Sequence, residues 1–253
     1  MTDRIYKVSA ISYLNSVPFT YGLRYFQKEL GIELEEDYPA RCAEKLLNDQ
    51  ADIGLVPVFI IPSLKKYEII SNFCIGASGK IRTVLLLSQK PVKEIKQVYL
   101  DFHSKTSVNL AKILSKELWQ ISPEWVPLTE KHEITKLESV VLIGDKTFTM
   151  ADKFSYSYDL SEEWQKLTGL PFVFACWVAN TNLPEVFKEK FNHALSFGLD
   201  NMEKSIRSCN SPISPEESLN YLKNNVSYDF DNQKQKALTI YLDFIKHYEF
   251  FKF

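Results

Sequence analysis

The 253-residue sequence lacks most of the features that mark specialised protein classes. Its net charge is −2 and its basic residues form no tract, which argues against nucleic acid or an anionic membrane surface as a partner. No apolar run reaches the roughly 18 residues of a membrane-spanning helix, and the first residues are too charged and polar for the core of a signal peptide. We therefore expect a cytoplasmic protein.

Cysteine is scarce and scattered. The four cysteines are Cys42, Cys74, Cys176 and Cys209, and they form no CxxC pair and have no histidine at metal-ligand spacing. Buried free thiols are the expected state of such residues. The sequence also has no glycine-rich phosphate loop, so it predicts neither a metal site nor a nucleotide cofactor. It does not determine the oligomeric state.

The composition, 45% hydrophobic and 25% charged, is that of an ordinary globular protein. Apolar β-prone runs alternate with amphipathic helical segments, which predicts an α/β fold. This pattern restarts after residue 91, and the chain turns almost wholly helical after residue 179. We therefore predict two lobes, one built from residues 1–90 and 178–253 and the other from 91–177, with crossings near 88–91 and 174–179. A ligand in the cleft would touch loops of both lobes.

Polar side chains follow the first predicted strand. The run that begins at Val8 ends in Ser12, Asn15 and Ser16, and residues 19–30 then have helical spacing of apolar residues. Ligands of parallel α/β sheets bind at the carboxyl ends of the strands, so this loop offers neutral hydrogen-bonding groups for one. The alternative is that these residues only cap the helix.

A second polar turn contains Ser104, Thr106 and Ser107, ahead of a helix expected to begin near Val108. Hydroxyls and backbone N–H groups at a helix N-terminus make an anion site, and Lys105 lies beside them. A helix cap alone is the alternative.

Further candidates lie at the ends of two other predicted strands. Gly144 and Asp145 follow strand 139–143, and Asp145 either acts on a ligand or caps the next helix. Thr83 falls inside predicted strand 81–88, where it is a ligand contact or a half-buried strand threonine. Strand alternation would point Arg82 and Thr83 to opposite faces.

Several motifs, taken together and in order, resemble chorismate dehydratase of the futalosine route to menaquinone. They are SYLNSVPF at 12–19, DIGLVP at 52–57, SKTS at 104–107, GD at 144–145 and the stretch from YDL at 158–160 to 175. The resemblance implies a two-lobed, periplasmic-binding-protein-like (type II) fold that works without metal or organic cofactor. It also implies chorismate as the small-molecule substrate, dehydrated to 3-[(1-carboxyvinyl)oxy]benzoate.

The resemblance assigns the chemical step to Asn15, in the Leu-Asn-Ser motif. An amide is no base, so its role is to orient the substrate or the departing hydroxyl, and the substrate's own enolpyruvyl carboxylate then takes the proton. Asp145 is the protein carboxylate that competes for that role, while His103 is interpreted as a loop residue first and a ligand contact second. The implied substrate-binding residues are Ser12, Thr83, Ser104, Thr106, Ser107, Gly144 and Asp145, and Thr83 stands where the family usually has serine.

Three other functions remain open. The sister enzyme of the same pathway, 1,4-dihydroxy-6-naphthoate synthase, has a first loop resembling His-Ser-Pro-Asp, which this sequence lacks. A transport solute-binding protein should carry an export signal. A non-catalytic sensor of small anions would normally be fused to a signalling module.

Overall fold

The computed structural model describes residues 4–101 and 104–249, so His103 lies outside the described residues. The strands are β1 (Tyr6–Ile11), β2 (Ile32–Asp37), β3 (Ile53–Pro57), β4 (Glu68–Ala77), β5 (Val84–Ser88), β6 (Gln97–Leu100), β7 (Glu124–Pro127), β8 (Ser139–Ile143), β9 (Tyr156–Asp159), β10 (Phe172–Ala179) and β11 (Ser227–Asp229). The α-helices are α1 (Val17–Leu30), α2 (Pro39–Leu47), α3 (Lys105–Glu117), α4 (Thr147–Met150), α5 (Leu160–Thr168), α6 (Glu185–Asp200), α7 (Met202–Arg207), α8 (Pro215–Asn224) and α9 (Asn232–His247). No helix in these two ranges is both long and apolar enough to cross a bilayer.

The chain divides into two compact units, each with its own sheet. The first unit holds the chain up to Ile75 and from Val173 to Asp231, and the second holds Gly76 to Phe172 and the chain from Asn232 onward. The first sheet has the order β11-β4-β10-β3-β1-β2, and the second has the order β7-β6-β8-β5-β9. Apart from β11, the two sheets have the same arrangement. In the first sheet β2, β1 and β3 are parallel, and β10 pairs with β3 in the antiparallel direction. In the second sheet β7, β6 and β8 are parallel, and β5 pairs with β8 in the antiparallel direction.

The unit boundaries differ from those expected from the sequence. Strand β5, assigned above to the first lobe, pairs with β8 and β9 in the second sheet. Its leucines Leu85 and Leu87 pack in the same apolar cluster as Val140 and Leu142 of β8. Helix α9 also joins the second unit, because the Tyr241 hydroxyl donates to the carbonyl of Thr106 over 3.1 Å.

Two glycines set the position of α1 in the first unit. A Cβ on Gly22 would lie 1.9 Å from the Ala194 carbonyl oxygen, and one on Gly198 would lie 1.8 Å from that of Pro18. Only glycine therefore allows α1 and α6 to approach this closely. The N-terminal end of α1 is also anchored by Phe19, which is fully buried. Its ring centroid lies 6.0 Å from that of Trp177 and 5.2 Å from that of Tyr228.

Aromatic packing fixes α5 and α9 in the second unit. The ring centroid of Trp164, a fully buried side chain, lies 5.2 Å from that of Phe172 and 6.3 Å from that of Tyr241. Edge-to-face pairs of this kind add to the burial of apolar surface. The indole N–H of Trp119 donates to Glu163 over 2.9 Å, which ties the chain after α3 to α5.

Three local sequence patterns can be compared with the structure. The spacing from Val58 to Lys66 predicts a helix, whereas the structure has a 3-10 turn, Val58–Ser63, which contains Pro62 and so lacks an N–H for a regular α-helix. The pattern over 184–210 predicts one helix, and the structure has two, α6 and α7, separated at Asn201. The segment Ser-Pro-Glu-Glu at 214–217 predicts a capped helix start, which is confirmed because the Ser214 hydroxyl accepts the N–H of Glu217 over 3.1 Å.

Candidate functional site

The loop after β1 belongs to the first unit and follows a buried strand end. The N–H of Ser12 donates to the Asp37 carbonyl over 2.9 Å, and the Ser12 side chain is exposed. A short 3-10 turn, Leu14–Ser16, then leads into α1. The loop is therefore tied to its neighbouring strand end through the backbone, and the serine side chain faces outward.

The interpretation of this loop as a helix cap is wrong for the serine next to α1. The Ser16 hydroxyl donates to the carbonyls of Ile11 and Tyr13, so it braces the loop. In the described chain neither the 3-10 turn nor α1 has a side-chain cap. Pro18, which needs no N–H partner, stands in the first turn of α1 instead.

Asn15 forms a hydrogen bond through its backbone carbonyl, whereas its side-chain amide oxygen accepts none from the described residues. The Tyr228 hydroxyl donates to the Asn15 carbonyl over 2.9 Å. The side-chain Oδ1 is buried and has no hydrogen-bond partner among the residues that the structure describes. A buried polar atom without a partner costs about 1–3 kcal/mol, so such an atom in a loop at a strand end is suited to a ligand.

Three hydroxyls lie at the N-terminus of α3, in the second unit. The Ser104 hydroxyl caps the helix by accepting the Ser107 N–H over 3.4 Å, and the two hydroxyl oxygens lie 3.3 Å apart. Thr106 is fully buried, while Ser104 and Ser107 are 7% and 2% exposed. The helix begins at Lys105, earlier than Val108, because the capping hydroxyl of Ser104 starts it. Thr106 and Ser107 thus lie inside the first turn, where backbone N–H groups favour an anion.

The ends of β5 and β8 bring Thr83 and Gly144 together. The N–H of Gly144 donates to the Thr83 carbonyl over 2.9 Å, and both residues are buried. Gly144 has a φ of 73°, a left-handed conformation that glycine adopts without steric cost. The Gly144 carbonyl in turn accepts the hydroxyl of Thr147 over 2.9 Å. These bonds fix the loop after β8 at the carboxyl end of the strand.

The predicted strand over 81–88 is too long at its start. Strand β5 begins at Val84, so Thr83 precedes it. Arg82 has a φ of 64°, which lies outside the extended region, so the expected alternation of Arg82 and Thr83 between two faces does not apply. The Thr83 hydroxyl lies 3.5 Å from the Ile81 carbonyl.

The interpretation of Asp145 as a helix cap finds no support in the geometry. In the described part of the chain, α4 has no side-chain cap, and Lys146 is its first flanking residue. Asp145 is half-buried, and its carbonyl accepts the N–H of Phe148 over 3.2 Å.

The sequence interpretation missed two buried carboxylates in the second unit. Asp101, directly after β6, is 2% exposed and forms an ion pair with Lys146. Asp159, at the end of β9, caps α5, and burial raises its pKa to about 6 although backbone N–H groups favour the charged form. Asp101 follows β6 as Asp145 follows the end of β8, so the same rule would have found it. Asp159 lacks this signal, because it ends β9, whose sequence YSYD is polar and half exposed.

The second sheet thus brings Thr83, Gly144 and Asp145 together at the junction of β5 and β8. The α3 N-terminus follows β6, which pairs with β8 in parallel, so Ser104, Thr106 and Ser107 lie at the same edge of that sheet. Ser12 and Asn15 belong to the first unit. Over residues 4–101 and 104–249, no cluster of three or more histidine, cysteine, aspartate or glutamate side chains could hold a metal ion.

Curated relatives and solved structures resemble this chain. Chorismate dehydratase of Thermus thermophilus is 26% identical over 204 residues, which is 72% of this chain and 72% of that protein. The chorismate dehydratase of Campylobacter jejuni is 28% identical over 170 residues, 65% of this chain and 63% of that protein.

Among solved structures, protein AF1704 of Archaeoglobus fulgidus has a TM-score of 0.77 at 16% identity, covering 97% of this chain and 98% of that one. A Candida albicans protein described as having the generic periplasmic binding protein fold has a TM-score of 0.65 at 12% identity, covering 96% and 95%. The predicted periplasmic-binding-protein-like α/β fold is therefore confirmed. The family model for menaquinone biosynthesis matches residues 6–247. This chain belongs to the menaquinone biosynthesis family.

Proposed function

We propose that this protein is a chorismate dehydratase, a hydro-lyase that converts chorismate to 3-[(1-carboxyvinyl)oxy]benzoate and water in the futalosine route to menaquinone. The observation that carries the proposal is the buried Oδ1 of Asn15, which has no partner among residues 4–101 and 104–249, in a chain whose residues 6–247 match a menaquinone biosynthesis family. The two curated relatives with this activity support the choice of substrate. Cytoplasmic location, the absence of a cofactor and the absence of a nucleic-acid partner belong to the same proposal.

The reaction breaks two bonds of the substrate ring. The C–H bond at the carbon bearing the enolpyruvyl ether loses its proton, its electron pair forms the new ring double bond, and the neighbouring hydroxyl leaves. The ring becomes aromatic, which drives the reaction. The protein must hold two carboxylates, orient the hydroxyl and stabilise the charge that develops.

Hydroxyl and amide groups meet these needs. Thr106 and Ser107, with the N–H groups of the first turn of α3, bind one substrate carboxylate, and Ser104 holds that turn in shape. Asn15 accepts a hydrogen bond at Oδ1 and donates one from Nδ2, so that it orients the substrate and the departing hydroxyl. The other proposed binding residues are Ser12, Thr83, Gly144 and Asp145.

The proton goes first to the enolpyruvyl carboxylate of the substrate, because the amide and hydroxyl side chains among the proposed contacts are not bases at neutral pH. It then passes to the departing hydroxyl, so that water leaves and the carboxylate is restored. Asp145 is the competing protein base. An Asp145→Asn variant separates the two routes: turnover within about tenfold of wild type supports the substrate-assisted route, and a loss of three or more orders of magnitude, on the scale of a lost general base, assigns the proton to Asp145.

The function is tested by incubating the purified protein with chorismate and following the aromatic product by ultraviolet absorbance and mass spectrometry. We expect a product lighter than chorismate by one water. Binding of chorismate without conversion would indicate a small-anion-binding protein instead. Conversion of the futalosine-derived substrate, with chorismate untouched, would indicate the sister 1,4-dihydroxy-6-naphthoate synthase.

A further inference from the structure

Arg82 has an unusual backbone conformation next to a proposed binding residue. Its φ of 64° is left-handed, which costs an L-residue other than glycine roughly 1–2 kcal/mol. The next residue, Thr83, is buried and accepts the N–H of Gly144 over 2.9 Å. Strain of this kind persists only where surrounding contacts hold it, and it concentrates at functional sites.

The contact that holds Arg82 comes from Asp159. The Oδ2 atom of this carboxylate accepts the Arg82 N–H over 2.6 Å. The other oxygen, Oδ1, accepts the N–H groups of Ser161 and Glu162 over 3.0 and 3.3 Å and so caps α5. Asp159 is 5% exposed. It pairs with Leu85 of β5, so its side chain reaches the start of that strand.

Capping α5 does not by itself account for a buried carboxylate. Two other helices of this chain, α3 and α8, are capped by the hydroxyls of Ser104 and Ser214. A neutral hydroxyl is thus sufficient for a cap here, whereas burial makes the carboxylate of Asp159 costly and raises its pKa to about 6. The second oxygen, directed at Arg82, is what a serine could not supply.

We infer that Asp159 is a positioning residue, which holds the left-handed turn at Arg82 and thereby fixes Thr83 and Gly144 for the substrate. The inference about turnover rests on the proposed function. The inference about the turn stands by itself and has its own measurement.

The test uses an Asp159→Ser variant of the full chain, in which serine keeps a hydroxyl for the α5 cap and is too short to reach Arg82. We expect hydrogen exchange at the Gly144 N–H to accelerate about tenfold or more, with the central amides of β8 unchanged, because only the turn is released. The kcat/KM for chorismate should fall about tenfold, mostly in kcat, as expected when a binding group is misplaced. A Ser214→Ala variant, which removes the cap of α8, is the control for simple destabilisation and should change neither quantity.

Rescue distinguishes positioning from a structural role. Glycine adopts the left-handed conformation without strain, so in an Arg82→Gly background the Asp159→Ser change should alter exchange and kcat/KM by less than about threefold. Arg82→Gly alone is the reference, because it also removes the guanidinium that lies 5.5 Å from the Phe148 ring centroid.

Equal losses in the two backgrounds, or an unchanged Gly144 N–H in Asp159→Ser, would overturn the inference. Faster exchange with normal kcat/KM would overturn its catalytic part. If the wild type does not convert chorismate, the proposed function fails, and the exchange measurements still decide whether Asp159 holds the turn. If Asp159→Ser does not fold, the same measurements use Asp159→Asn. The asparagine amide keeps one oxygen for the α5 cap, and its NH2 group faces the backbone N–H of Arg82, so the two donors cannot form a hydrogen bond.

Discussion

The two units repeat one sheet order, yet the helix that follows the first parallel strand begins differently in each. In the second unit, the Ser104 hydroxyl caps α3, and Thr106 and Ser107 are buried in the first turn. In the first unit, α1 has no side-chain cap within the described residues, and the Asn15 Oδ1 is buried without a partner. The α3 N-terminus therefore has its cap and its buried hydroxyls in place, while the α1 loop holds an amide oxygen that has no hydrogen-bond partner among the described residues.

We propose that this difference separates two roles, binding of the substrate and the chemical step. A capped helix N-terminus binds a fixed negative charge, which stays the same throughout the reaction. An amide whose oxygen has no partner within the described residues is suited to a group whose charge changes, since that hydrogen bond forms with the substrate and not with the protein. We therefore assign ground-state binding mainly to α3 and the chemical step mainly to Asn15.

The largest expected effect comes from removing that amide. An Asn15→Ala variant should fold with normal stability, because the fold loses no side-chain hydrogen bond at Oδ1, yet its turnover of chorismate should fall by about two orders of magnitude or more. Steady-state kinetics and thermal unfolding check both parts.

Asn180→Ala is the matched control for Asn15→Ala. The Asn180 Nδ2 donates to Leu46, Asp49 and Ala51, also within the first unit, so this change should lower stability and leave turnover near normal. Near-normal turnover by Asn15→Ala would contradict the proposal that the α1 loop, unlike the α3 N-terminus, acts in the chemical step.

Removing the two buried hydroxyls of α3 should have a smaller effect. A Thr106→Ala, Ser107→Ala double variant should weaken chorismate binding by about 1–3 kcal/mol, seen mostly in KM, because hydrogen bonds to a charged carboxylate are lost. Ser115→Ala is the control, since its hydroxyl bonds to the Lys112 carbonyl further along the same helix. An unchanged KM would exclude the α3 terminus from the site.

The last expected effect is on stability rather than on turnover, and it concerns Asp159. Burial raises its pKa from 3.8 to about 6, so the folded protein binds more protons than the unfolded chain between these values. This stabilising contribution is complete below pH 4 and is lost as the pH rises through about 6. Chemical denaturation of wild type and Asp159→Asn across this range should show a steeper decline in the wild type. Parallel curves would mean that this carboxylate titrates normally.

Much of the fold could be predicted from the sequence, because local patterns determine it. The run 139–143 and the proline-opened helix at Ser214 were recognised from apolar spacing and capping chemistry. The unit to which β5 and α9 belong could not be predicted in this way, since an apolar strand or an amphipathic helix does not encode which sheet it joins. Pairing of β5 with β8 and the contact of Tyr241 with Thr106 depend on residues far along the chain.

For the candidate site, the sequence predicted which loops carry the polar residues better than it predicted their backbone conformation and side-chain contacts. It located Ser104, Thr106 and Ser107 correctly at a helix start. It gave no sign of the left-handed turn at Arg82, because arginine favours other conformations and the Asp159 contact comes from 77 residues further along the chain. The unused oxygen of Asn15 likewise depends on packing that no local pattern records.

The role of Asn15 as a neutral orienting group is tested most directly by the turnover of chorismate in an Asn15→Asp variant, with its fold verified by thermal unfolding. A carboxylate here retains an acceptor, loses the donor and places a negative charge beside a dianionic substrate, so the account predicts that dehydration is abolished. Robust production of 3-[(1-carboxyvinyl)oxy]benzoate by the Asp variant would contradict it, because the position would then serve a base as well as an amide.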